Sequence, residues 1–176
     1  YPTTYTPNGY VDIMRTSFIN NNKILYGNRV KAFITPISYE VDTIDDFNLL
    51  EWLVKKDDKY FKAYETLGIL HKDASDSKYQ SYHISLDYLQ KAAKIKPDHH
   101  VVKFRISQIY NILADKNKES KNYKKMAENS TNAKKFAKQS LKINKKYGGS
   151  HFELGYAELY LCNKGSGIKS LTKAGK

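Results

Sequence analysis

Tyr64-x-x-Leu67-Gly68-x-x-His71, followed by Ser85, Leu89 and Ala92 and closed by Pro97, is the stretch whose spacing decides the fold. Large apolar and small residues recur three and four apart, which predicts two helices. Asp73-Ala74-Ser75-Asp76-Ser77 supplies the break between them. Gly68 in the first helix and Ser85 in the second are small where a large side chain would hold two crossing helices apart. The stretch is therefore expected to fold as one antiparallel helical hairpin.

The same layout returns twice. In the second unit Pro97 leads to Ile106-Ser107 and Tyr110, and Ala133, Ala137 and Ser140 resume the pattern with Lys145 at its close. In the third unit Leu154-Gly155 is followed by Gly167, Leu171 and Ala174. These residues resemble the tetratricopeptide repeat, a hairpin with the pattern W-x2-L-G-x2-Y…A-x3-F…P. Tyr64, Lys103 and His151 stand at the Trp place, a departure in all three units, and His71 takes the Tyr place of the first. About five extra residues sit between the helices of the first unit, and roughly fourteen are inserted around Asp115–Asn132 in the second. The third unit ends at Lys176, before its last helix would finish.

What precedes the hairpins divides in two. Asp45-Asp46 caps a predicted helix carrying Leu49, Leu50, Leu53 and Val54, which ends at Lys55-Lys56. This helix is the expected second half of a degenerate repeat. Residues 1–44 form a lead-in: prolines and Asn8-Gly9, a short amphipathic pattern at Val11, Met14 and Phe18, then period-two runs around residues 24–26, 30–34 and 37–41. The expected organisation is an all-α solenoid of stacked hairpins over 45–176, after an irregular or partly β segment over 1–44. The half repeat covers 45–60, and the repeats cover about 61–98, 99–146 and 147–176.

Several function classes are excluded or disfavoured. No run approaches the ~20 apolar residues that cross a bilayer. There is no P-loop, dinucleotide fingerprint, H-E-x-x-H or paired-cysteine motif. His99 and His100 are adjacent and would diverge on a helix, so they read as a solvated turn and no metal site is expected. Cys162, alone in the chain, reads as a buried structural thiol. No catalytic residue and no cofactor is expected. The opening at Tyr1, without Met and with a tether-like Pro- and Thr-rich run, gives an expectation of export to a bacterial cell envelope.

What is left is surface. The resemblance implies a concave groove lined by the first helices and filled by a partner polypeptide. Carried over position by position, the groove includes Lys62, Glu65, Ile69, Lys72 and Val101, with Phe104, Gln108, Asn111, Phe152, Tyr156 and Tyr160 as its partner-binding residues and Leu159 beside them. A second candidate is electrostatic. Of the net charge of +12, residues 99–146 hold 13 basic side chains against 3 acidic. Lys116, Lys118, Lys121, Lys124, Lys125, Lys134, Lys135, Lys138 and Lys142 form a basic patch suited to an anionic surface or polyanion. Arg105 is the only arginine in this window, which argues against specific base reading of nucleic acid.

Overall fold

A computed structural model describes residues 44–74, 80–162 and 164–175. The helix and strands expected before residue 44 lie outside them, as do residues 75–79. The described chain is all-α: α1 (Ile44–Lys56), α2 (Phe61–Asp73), α3 (Tyr82–Ile95), α4 (His100–Glu119), α5 (Tyr123–Ile143), α6 (Gly148–Tyr160) and α7 (Lys164–Ala174). Local chemistry sets the ends. Asp45 and Asp46 sit in the first turn of α1 and Lys55 and Lys56 in its last, each opposing the dipole charge there. Ser81 and Asn122 cap α3 and α5 by accepting the backbone N–H of Ile84 and Lys125.

Each helix packs on the next, and α2, α4 and α6 also touch in succession. Among the described residues no such contact joins α3, α5 and α7 to one another. The first helices of the three hairpins therefore form one layer and the second helices an outer one, the arrangement of a tetratricopeptide-like solenoid. Leu67, Leu89, Ile106, Ile109 and Ala157 are fully buried in the stack, Leu89 over Gly68 within the first hairpin.

Small residues meet in pairs at the crossings. The Ser85 hydroxyl on α3 donates to the Gly68 carbonyl on α2, and the Ser107 hydroxyl on α4 donates to the Ala133 carbonyl on α5 at 2.8 Å. In the third hairpin Gly155 faces Gly167: a Cβ on Gly155 would stand 2.8 Å from the Gly167 carbonyl oxygen. A chain of hydroxyls also joins the last two hairpins, from Ser150 to Ser140 at 2.7 Å and on to the His100 carbonyl at 2.8 Å.

The residues inserted in the second hairpin are helical. At 20 residues α4 is seven longer than α2, and at 21 residues α5 is seven longer than α3. The insertion is thus about two extra turns on each helix, closed by a tight turn in which Lys121 takes a positive φ of 57°. Two expectations are corrected here. Cys162 is exposed, in the turn between α6 and α7. His99 and His100 do not form a solvated turn: both are half-buried, with His99 edge-on to Phe61 and His100 edge-on to Tyr147.

The crossings predict an ordering of glycine variants in urea denaturation. Gly155→Ala drives a methyl into backbone of α7 and is expected to cost about 1–2 kcal/mol despite alanine's better helix propensity. Gly165→Ala meets nothing within 4 Å and is expected to stabilise by about 0.5–1 kcal/mol. Equal effects at the two sites would mean that close approach is not what Gly155 provides.

Candidate functional site

The open side of the first-helix layer is the candidate site. On α4, Val101, Arg105, Gln108, Ile112 and Asp115 recur at intervals of three and four, and all are half-buried. Val101, Arg105, Gln108 and Ile112 therefore share one open line along the helix, which Asp115 continues toward α6. Phe104 and Asn111, expected on this face, lie one step around the helix in the packing against the third hairpin. Phe104 is buried edge-on to Tyr147 at 5.2 Å, beneath Gly149, where a Cβ would meet its ring at 2.9 Å. Asn111 is 3% exposed and its amide donates to Glu153, at 3.0 Å to the carbonyl and 2.6 Å to the carboxylate. Gln108 stays on the open face and accepts loosely from Arg105 at 3.4 Å. A helical wheel centred one residue further along α4 would have found Arg105 and Ile112.

On α6 the three expected aromatics form a rail. Phe152 stacks on Tyr156 with ring centroids 6.1 Å apart, and Tyr156 leans on Tyr160 at 5.1 Å. Both tyrosine hydroxyls donate to the Asp115 carboxylate of α4, that of Tyr156 at 3.0 Å. Lys118 lies over the Tyr160 ring at 5.0 Å. Burial and the Asp115 carboxylate push the Tyr160 phenol well above its ordinary value, so the hydroxyl remains a donor. Phe152, at the other end of the rail, is 50% exposed beside Gly148, Gly149 and Leu171. Asp115 falls in the inserted turns of α4, so this tie depends on the insertion.

At the base of this face lie buried carboxylates. Glu153 is 5% exposed, and burial raises its pKa, against the Asn111 hydrogen bond and Lys72 of α2, which both lower it. Glu65 accepts from Lys62 at 2.9 Å and stands 3.7 Å from His99, whose imidazole burial holds below its ordinary value. Among the described residues no group of three or more His, Cys, Asp or Glu is placed to hold a metal ion, and no helix is long and apolar enough to cross a membrane. What the face offers is two amphipathic rows, one aromatic and one mixed, at the spacing of neighbouring helices.

The basic patch divides. Lys134 is turned inward onto buried Glu158 at 3.4 Å, where Ser166 of α7 also donates at 2.7 Å. Lys116 lies over the Tyr82 ring at 4.6 Å. Lys121, Lys124, Lys125, Lys135, Lys138 and Lys142 are exposed, on α5 and the turn that precedes it.

Comparison with solved structures places MamA beside this chain. A crystal structure of the MamA protein matches at 15% identity with a TM-score of 0.60, over 74% of this chain and 61% of that one. The structure described as MamA MSR-1 C2 matches at 18% identity and a TM-score of 0.56, over 75% and 65%. Another MamA crystal structure gives 16% and 0.57, over 74% and 66%. The chain thus spans less than two thirds of these structures, and what it shares with them is a TPR-like helical-repeat fold. No protein-family model and no curated protein matches the chain.

The raised pKa of Glu153 gives a signed prediction. Its folded value lies above the unfolded one, so its contribution to stability is complete below the ordinary carboxylate value and is lost as pH rises through the raised one. Protonated, Glu153 has a proton to offer the Asn111 Oδ1, which is buried without a hydrogen-bond partner. Glu153→Gln is therefore expected to melt a few degrees higher than the native chain at neutral pH, and the gap should close as pH falls toward the ordinary carboxylate range. A gap that does not change with pH would show that the carboxylate charge is not what the variant relieves.

Proposed function

We propose that this chain is a non-enzymatic scaffold that holds a segment of another polypeptide along the open face of α2, α4 and α6. The observation that carries the proposal is the α6 rail. Three aromatic rings are ordered in advance by stacking and by Asp115, and the outermost, Phe152, remains half exposed. Rigid aromatic surface is where binding energy concentrates in protein interfaces, because little side-chain freedom is lost on contact. The neighbouring row of Val101, Arg105, Gln108 and Ile112 supplies both apolar contact and hydrogen-bonding groups for a peptide backbone. The TPR-like architecture supports the same role, since arrays of this kind present their first helices as an interaction surface. The expectation of a bacterial cell-envelope setting rests on residues outside those described, and the helical array adds nothing to it.

The groove calls for a test on its accessible residues, since Phe104→Ala would open a cavity between the second and third hairpins. Peptides selected from a display library against the intact chain should bind the native protein. They should bind the Phe152→Ala/Tyr156→Ala double variant at least tenfold more weakly, with its helical circular dichroism unchanged, as loss of a hot-spot cluster worth about 2 kcal/mol or more predicts. Unchanged affinity in the folded double variant would remove the rail from the binding site.

A further inference from the structure

The outer layer of helices carries a second surface of a different kind. On α5, Lys124, Lys135, Lys138 and Lys142 fall within about 60° of one line at the angular step of an α-helix. They spread over about 27 Å at the rise per residue of that helix. All four are exposed, and among the described residues none makes an ion pair. Lys121, in the turn before α5, and Lys125, about 100° around the helix from Lys124, are also exposed at the hairpin tip, and α7 adds exposed Lys169 and Lys173 in the same outer layer.

Charge is sorted between the two layers. Glu65, Glu153 and Glu158, all on first helices, are buried, and Asp115 is engaged by tyrosines. On α3, α5 and α7 the only carboxylates are Asp87, paired with Lys91 at 2.8 Å, and Glu128. Three carboxylates of the first helices are thus drawn inward, whereas the four lysines of α5 face outward with one exposed carboxylate, Glu128, about 40° from their line. A partner of opposite sign lowers the self-repulsion of such a row.

We propose that this outer lysine face docks the protein on an anionic lipid bilayer. A charged bilayer asks only that several cations approach one plane, which a straight row on an outer helix does, with no need for shape recognition. The composition fits this partner better than nucleic acid. The row has no arginine to pair phosphates or bases bidentately. At the tip end of the row Tyr123 is 61% exposed, beside Lys121, Lys124 and Lys125. A phenol ring among lysines is an amphipathic group suited to the headgroup level of a membrane. The open face of the first helices would then be left free for a polypeptide while the outer face is held at the surface.

Vesicle flotation with the intact chain tests this. Vesicles of phosphatidylcholine with phosphatidylserine should retain the protein at low salt and release it as salt screens the surface; vesicles of phosphatidylcholine alone should not retain it. The triple variant Lys135→Gln/Lys138→Gln/Lys142→Gln should lose on the order of a hundredfold in partitioning, at about fivefold per lysine. The equally charged control Lys55→Gln/Lys56→Gln/Lys59→Gln should lose much less, and circular dichroism should show both folded. The expected result is retention by the native chain and the control and loss in the triple variant. No retention of the native chain, equal losses in the two triple variants, equal retention on phosphatidylcholine alone, or tighter retention of a DNA duplex than of the anionic vesicles at matched salt would each overturn it.

Discussion

Everything in this array follows from how near the two helices of a hairpin can come. Gly68 with Ser85, Ser107 with Ala133 and Gly155 with Gly167 keep the crossings close, and the Leu89 and Leu171 side chains of the second helices pack directly onto Gly68 and Gly155. Where a hydroxyl is present it donates to a carbonyl of the opposite helix instead of standing off from it. Apolar side chains that do not pack within a crossing lie on faces that the neighbouring hairpin covers. Stacking is then enforced, because an isolated hairpin would leave Leu67, Ile106 and Ile109 in water. The spacing of first helices, and hence the width of any peptide site across them, is inherited from that requirement.

Between hairpins the contacts are more polar than such a scheme needs, and the carboxylates explain why they are tolerated. Glu158 sits between three helices, with Lys134 from α5 and the Ser166 hydroxyl from α7. Glu153 receives the Asn111 amide from α4. A buried carboxylate without such partners would cost several kcal/mol, so each one fixes the relative position of the helices that serve it. Apolar packing alone would permit neighbouring hairpins to slide past one another. These partners admit one register, which makes the polar contacts specifiers of alignment more than sources of stability.

The hairpins were legible in the sequence because small residues at crossings have one reading: Leu67-Gly68 and Leu154-Gly155 lie on helices where the periodicity put them. The face of α4 was less legible. Phe104 and Asn111 lie next to Arg105 and Ile112, and a difference of one residue, about 100° around a helix, separates a packed position from an open one. The choice is made by the third hairpin, whose Tyr147, Gly149 and Glu153 claim Phe104 and Asn111 from more than forty residues away. No local pattern carries that information. Lys134 failed for the same reason, since its sequence neighbours are solvated lysines and its partner, Glu158, lies on another hairpin. Cys162, read as a buried structural thiol, instead lies exposed in a turn with a positive φ of 60°.

The inserted turns of the second hairpin bear on both layers of the array. Shared equally, two turns on α4 and two on α5, they lengthen the hairpin without altering how its base packs. The added part of α4 carries Asp115 to the hydroxyls of Tyr156 and Tyr160, ordering the rail on the open face. The added part of α5 carries Lys124 and Tyr123 outward on the opposite layer. One extension therefore serves both faces, and its symmetry between the two helices is what allows it to do so without disturbing the stack.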